Sequence, residues 1–364
     1  MKQTGKYIYG VINSGRQEIF ELDDIENLED LYPFADNTNV FEKSRHAYTI
    51  SYEDISAVVV DSPIIEYSHL PKDTLGKMLV RHQQVIEKIM SRYCVIPMRL
   101  GTFAGNNDEV RKILAKGHET IKNIFEKSKN SIEIDVAVTT NDFKSFLQEV
   151  SQEEEIKLFK ESLLTKPGGV TIDDQIKIGV LVKKHLDAKK EKLSSAIQSA
   201  LGKTAQAVKS HDVMDDKMVL NCAFLLDINN QNELMQKIEH LNDEFQNKLD
   251  FRCIGPLPPY SFYTLEVKKT RFDEVRWAKE KLGLEVDFIT PAEIKKAHRR
   301  AALVCHPDKN PNTPDIERKF DEMTKAYKIL LDYYKASGRD KQEEICYLNR
   351  EAFEKNAVLV ETIA

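Results

Sequence analysis

The sequence predicts an α+β protein built from two small sheet-plus-helix domains, the second with a long helical arm, followed by an all-helical segment. Three observations lead there. Short β-rich runs (KYIYGVI at Lys6–Ile12, DISAVVVD at Asp54–Asp61, SIEIDVAVT at Ser131–Thr139, MVLNCAFLLD at Met218–Asp227) alternate with stretches of helical period. A highly charged stretch over residues 172–209 repeats Leu186, Leu193, Ile197 and Ala200 on one narrow stripe, as an arm does. From Val275 onward the apolar residues again recur at helical spacing.

In chain order, Lys6–Ile12 reads as a strand and Asp54–Asp61 as an interior one, closed by Ser62-Pro63. Residues 13–37 are polar and acidic, a loop with a short helix or strand. Leu70 to Tyr93 follows a helical period with Leu75, Leu79, His82, Ile86 and Ile89 on one stripe. Cys94–Leu100 is a strand in which Pro97 requires an edge or a bulge. Gly101 and Gly105 bracket a turn, and a helix runs from Asn106–Asp108 to about Lys127. The second domain opens at Ser131, with a helix from Asp142 to about Leu164, a break at Lys166-Pro-Gly-Gly169 and the arm. Strand 218–227, a helix at Glu233–Leu249, and strands Asp250–Ile254 and Ser261–Val267 around GPLPPY complete it. The arrangement is a sheet covered on one face, with ferredoxin-like variants among those that fit. The expected boundaries are 1–130, 131–268 with the arm at 142–209, a helical domain at 269–336, and a helical tail at 337–364 that packs back on the body.

Composition narrows the function. The chain has 364 residues, 41% hydrophobic and 31% charged, with a net charge of −6. That describes an ordinary globular chain and argues against a general nucleic-acid binder. No apolar run reaches the roughly 18 residues of a membrane span, and MKQTGKYIYG lacks the apolar core of a secretory signal. Five scattered cysteines without a C-x-x-C pair fit a reduced, cytoplasmic protein. There is no G-x-G-x-x-G, P-loop lysine, G-x-S-x-G or H-E-x-x-H. The expectation is therefore no catalytic residue, no cofactor and no metal site, and no membrane or nucleic-acid partner.

The stretch from Thr290 carries the first specific signal. It reads TPAEIKKAHRRAALVCHPDKNPNTPDIERKFDEMTKAYKIL. Thr290 is an N-cap, Pro291 suits the first helical position and Glu293 can close a capping box. Ile294, Ala297, Ala301 and Val304 define an inward stripe, while Lys295, Lys296, Arg299 and Arg300 lie opposite with no acidic residue among them. Pro307 ends the helix. A second helix starts at Thr313 or Asp315, with Ile316, Phe320, Met323, Tyr327 and Leu330 on one face. Val275, Ala278 and Leu282 with Gly283 supply a preceding helix and its stop. The pattern resembles the J domain of DnaJ-type co-chaperones, most specifically in HPDKNP. The resemblance implies that His306, Pro307 and Asp308, with the basic face of Lys295, Lys296, Arg299 and Arg300, bind a DnaK-type chaperone and stimulate its ATPase. His298, Ala301 and Cys305 depart from the residues usual there.

Three earlier stretches form a second set: RHQQVIEKIMSRYCVIPMR with LGTF (from Arg81), VLNCAFLLD (Val219–Asp227) and GPLPPYSF (Gly255–Phe262). In this order they resemble the gas-vesicle accessory family GvpF/GvpL over about residues 6–268. Leu257 replaces its usual tryptophan and Leu100 its usual phenylalanine. The resemblance implies a non-enzymatic factor in gas vesicle assembly that binds the hydrophobic shell protein and keeps it from aggregating, alongside other gas vesicle accessory proteins. Arg99, Gly101, Gly255, Pro256, Pro259 and Tyr260 are its motif residues and candidate client contacts. Each has a simpler reading too. The prolines stiffen a connection, and Tyr260 and Phe262 fill a core. Arg99 pairs internally as readily as with a partner's carboxylate, and His82 is a satisfied core histidine. A minor structural component of the vesicle, or a general J-domain co-chaperone, are the alternative functions.

Overall fold

The computed structural model describes residues 4–25, 45–65, 67, 70–167, 169–246, 248–306, 314–337 and 345–363. Its contacts separate two units, one of Met1–Lys127 with Tyr263–Ala364, the other of Ser128–Phe262.

In the first unit, strands β1 (Thr4–Ile12), β2 (Ile19–Glu21), β3 (His46–Tyr52), β4 (Ile55–Pro63) and β5 (Val95–Pro97) lie in the order β2-β3-β4-β1-β5, and β6 (Phe103–Ala104) also pairs with β1. Its paired strands run antiparallel. Pro97 falls on the edge strand, opposite Gly10, where its missing N–H costs no ladder bond. Helix α1 (Lys72–Met90) buries Met78, Arg81, His82, Val85, Ile86 and Ile89. Leu79, expected on that stripe, is 53% exposed, because the buried face begins at Met78. Helix α2 (Asn107–Lys127) lays Val110, Ile113, Leu114, Ile121 and Ile124 on the sheet.

The second unit is a sheet of β7 (Ser131–Thr140), β8 (Ala207–Ser210), β9 (Met218–Asp227) and β10 (Leu249–Leu257) in the order β10-β7-β9-β8, antiparallel throughout. Helices follow the first and third of these strands, which is the ferredoxin-like arrangement foreseen. The expected helix 142–164 is two, α3 (Phe143–Val150) and α4 (Glu154–Leu164). The arm, α5 (Ile172–Gly202), starts from a capping box of Thr171 and Asp174 and ends before β8, so the last residues of the 172–209 stretch are a strand. Helix α6 (Gln231–Glu244) is shorter than the 233–249 expected, since Leu249 already belongs to β10.

The chain then returns to the first unit. Ser261–Val267 is not one strand: a helical turn (Tyr260–Tyr263) precedes β11 (Thr264–Lys269). Helix α7 (Phe272–Lys281), strand β12 (Phe288–Ile289), α8 (Pro291–Cys305) and α9 (Ile316–Ala336) form the helical module, with Val275, Ala278, Ile294, Ala297, Ala326 and Leu330 in one core. The tail expected as a helix is strand β13 (Cys346–Tyr347) on β12, a short helix α10 (Arg350–Asn356), and strand β14 (Val358–Ile363) along β11. β-Branched residues and a partner strand some 90 residues upstream decide for a strand there.

Candidate functional sites

The helical module presents a charged face held by its caps. Thr290 accepts from the Glu293 N–H at 3.2 Å, and the Glu293 carboxylate accepts from the Thr290 N–H at 3.0 Å. The box fixes the start of α8, and burial of Ile294 and Ala297 fixes its rotation. Lys295, Lys296, Arg299 and Arg300 are consequently all exposed, and none forms an ion pair among the described residues. Four cations within six residues make a field of one sign. Val304, read as part of the core stripe, is 72% exposed, because the core ends a turn earlier with half-buried Ala301. His298 stacks on Tyr327 with 4.6 Å between ring centres, and burial lowers its pKa. His306 caps α8 and meets Phe320 edge-on. Pro307 and Asp308 lie outside the described residues. Helix α7 closes as the sequence suggests: Gly283 is left-handed, and the N–H groups of Gly283 and Leu284 donate to Glu280 and Lys279.

Arg99 and Gly101 belong to one tight turn of the first unit. The Arg99 guanidinium pairs with the Glu266 carboxylate of β11, and the Arg99 backbone N–H donates to the Leu265 carbonyl at 2.8 Å. The internal reading of Arg99 is the one the geometry supports. Gly101 has a φ of +85°, and a Cβ there would stand 3.0 Å from the Tyr67 ring, so both conformation and space disfavour a side chain. Nearby His82 is 3% exposed, with the Tyr7 hydroxyl 2.6 Å from Nδ1 and the Met98 carbonyl 3.0 Å from Nε2. Burial lowers its pKa to about 4. It is a neutral core histidine.

The GPLPPYSF stretch is anchored in the second unit by a buried acid that the sequence reading missed. Glu133 of β7 is 1% exposed and accepts from both the N–H and the hydroxyl of Ser261, each at 2.8 Å. Gly255, whose φ is +147°, lies where a Cβ would be 2.9 Å from the Glu133 carbonyl. Pro256 is exposed, Pro258 and Pro259 are buried, and Tyr260 is half-buried. Tyr260 and Phe262 stand on the helical turn, so they are not the same-face pair that an alternating strand would give. Burial pushes the Glu133 pKa up to about 8, against the Ser261 hydrogen bonds that favour its charge. Asp135, two residues on along the same face, is also raised by burial.

His211 Nε2 lies 3.1 Å from the Ser261 hydroxyl, and Lys209 donates to the Ser261 carbonyl at 3.0 Å. Serine, histidine and glutamate thus meet, but not as a hydrolytic triad. The acid engages the serine itself instead of standing behind the imidazole, so it cannot orient the histidine as a base. The group does the work of an anchor, fixing the turn after β10. Two acids at i and i+2 in SIEIDVAVT were the available signal.

Comparison with known proteins agrees with both parts of the chain. The family model described as "Gas vesicle synthesis protein GvpL/GvpF" matches residues 5–264, and the model described as "DnaJ domain" matches residues 279–338. Gas vesicle protein F of Dolichospermum flosaquae is 22% identical over 243 residues, 65% of this chain and 98% of that protein. The chaperone protein DnaJ of Ehrlichia ruminantium is 50% identical over 60 residues, 16% of this chain and only 15% of that protein. The crystal structure of gas vesicle protein GvpF from Anabaena sp. shares the fold, with a TM-score of 0.57 at 20% identity over 71% of this chain and 97% of that one. With a body of that kind from its first strand to the GPLPPYSF turn, and a DnaJ domain appended, this chain belongs to the GvpL/GvpF family of gas vesicle synthesis proteins.

Proposed function

We propose that this protein is a gas vesicle assembly factor whose GvpL/GvpF body binds the hydrophobic gas vesicle shell protein and prevents its aggregation. In this reading the DnaJ domain recruits a DnaK-type chaperone to the same client, through the four cations of α8 and the His306-Pro307-Asp308 tip. The family gives a role in gas vesicle synthesis, and the DnaJ domain gives a co-chaperone role. The observation that carries the finer reading is the joining of the two in one chain, which delivers a client and a chaperone-docking face together. No catalytic step is needed for either task.

The arm supports the client half. Along α5, Ile172, Ile176 and Val180 stand four residues apart and are each at least 60% exposed, with Leu164 exposed just before them. An apolar stripe in water is a standing cost unless a partner covers it, and a shell subunit rich in apolar surface suits it. We expect the full chain to suppress light scattering when purified shell protein is diluted out of denaturant. The variant Ile172→Ser/Ile176→Ser/Val180→Ser should lose that effect. Scattering unchanged by the full chain at equimolar or higher ratio overturns the client-binding proposal.

A further inference from the structure

The turn between β3 and β4 brings two carboxylates against a histidine of α2. Glu53 and Asp54 form the two-residue tip of this hairpin, where Tyr52 pairs with Ile55 and Glu53 has a φ of +51°. His118 lies in the middle of the 21-residue α2, its side chain only 18% exposed, with Tyr52 edge-on at 5.7 Å. Its Nε2 is 2.8 Å from Asp54 Oδ1 and 3.4 Å from Glu53 Oε2, and the three donor atoms all lie within 4.8 Å of one another. The groups come from two elements held by separate constraints, a hairpin register and a helix packed on the sheet.

From this juxtaposition we propose a binding site for a divalent first-row transition ion of the zinc type, with His118 Nε2, Asp54 Oδ1 and Glu53 Oε2 as its three protein ligands.

Distance is the first argument. Ligands about 2.1 Å from a tetrahedral ion stand about 3.4 Å from each other. The histidine–glutamate separation already has that value, and the histidine–aspartate pair need open by only about 0.6 Å, within the reach of one side-chain rotation. Donor chemistry is the second. One imidazole nitrogen with two carboxylate oxygens suits zinc, cobalt or nickel, whereas calcium and magnesium select all-oxygen sets. Charge is the third. Lys122 Nζ holds Asp54 Oδ2 at 2.6 Å, while Oδ1 faces His118 Nε2, so an ion would take the place of that hydrogen bond. Two carboxylates and one ammonium leave a net charge of −1, which a divalent ion reverses without an unpaired charge being buried. Bound there, the ion would clip the β3–β4 turn to α2. It would leave a fourth position to water.

Cobalt chloride titrated into the full chain at pH 7 tests the site, with visible absorption reporting coordination and zinc chloride added to displace the cobalt. The expected result is one ion per chain, released by zinc. His118→Gln should abolish it, and Glu53→Gln should weaken it at least about tenfold. His240→Gln, which changes an exposed histidine of the other unit, should leave it unaltered. Circular dichroism of each variant separates lost ligands from lost fold. Binding that survives His118→Gln in the folded variant, or that falls as much in His240→Gln, overturns the proposal, as does the absence of stoichiometric binding to the unaltered chain.

Discussion

The buried Glu133 makes a pH-dependence prediction for the second unit. Its carboxyl ionises near pH 4.5 when solvated and at about 8 in the fold, because burial outweighs the two hydrogen bonds from Ser261. A folded-state pKa above the unfolded one means that folding favours the protonated form. The contribution is therefore fully present below about pH 4.5 and is lost as the pH rises through 8. At about 1.4 kcal/mol for each unit, the shift of roughly 3.5 units sets a ceiling of about 5 kcal/mol. Water and dipole rearrangement around the opened charge reduce this to the order of 2–3 kcal/mol. Asp135 is raised in the same direction and adds to the trend. Hydrogen exchange of the β7 and β10 amides, corrected for intrinsic rates, measures it. The opening free energy should fall between pH 5.5 and pH 8.5. Glu133→Gln keeps one carbonyl for the Ser261 N–H and an amide for its hydroxyl, and should flatten most of that slope. Parallel profiles for the two proteins would refute the assignment.

Other predictions concern single positions. Gly101→Ala, with φ at +85° and the Tyr67 ring 3.0 Å from the new methyl, should cost about 1–3 kcal/mol in urea denaturation. His82→Phe removes the partner of the buried Tyr7 hydroxyl and Met98 carbonyl, and should cost roughly 2–3 kcal/mol by the same assay. The triple serine variant of the arm stripe changes exposed positions alone, so its melting temperature should stay within a few degrees of the parent's while client binding falls.

What could be read from the sequence was what neighbours in the chain decide. Thr290, Pro291 and Glu293 specify the start of α8 without help from elsewhere, and the structure has that capping box. Gly283 and the α7 stripe are local in the same way. Strand β14 was hidden because its fate depends on β11, some 90 residues away in the chain. The inward face of α1 was misplaced at Leu79, since helical spacing alone leaves open which of two neighbouring stripes meets the sheet. Motif residues fared similarly. Arg99 found its carboxylate on β11, and the role of GPLPPYSF became readable only once Glu133 stood beneath Ser261. Contacts of 128 and 167 residues' separation leave no mark in any short window.

The account turns on one chain joining a client-binding body to a working chaperone recruiter, and the most direct measurement is the ATPase turnover of a DnaK-type chaperone. The unaltered chain should raise that turnover, and Asp308→Asn should return it to the basal rate. Equal turnover with the two proteins would contradict the account.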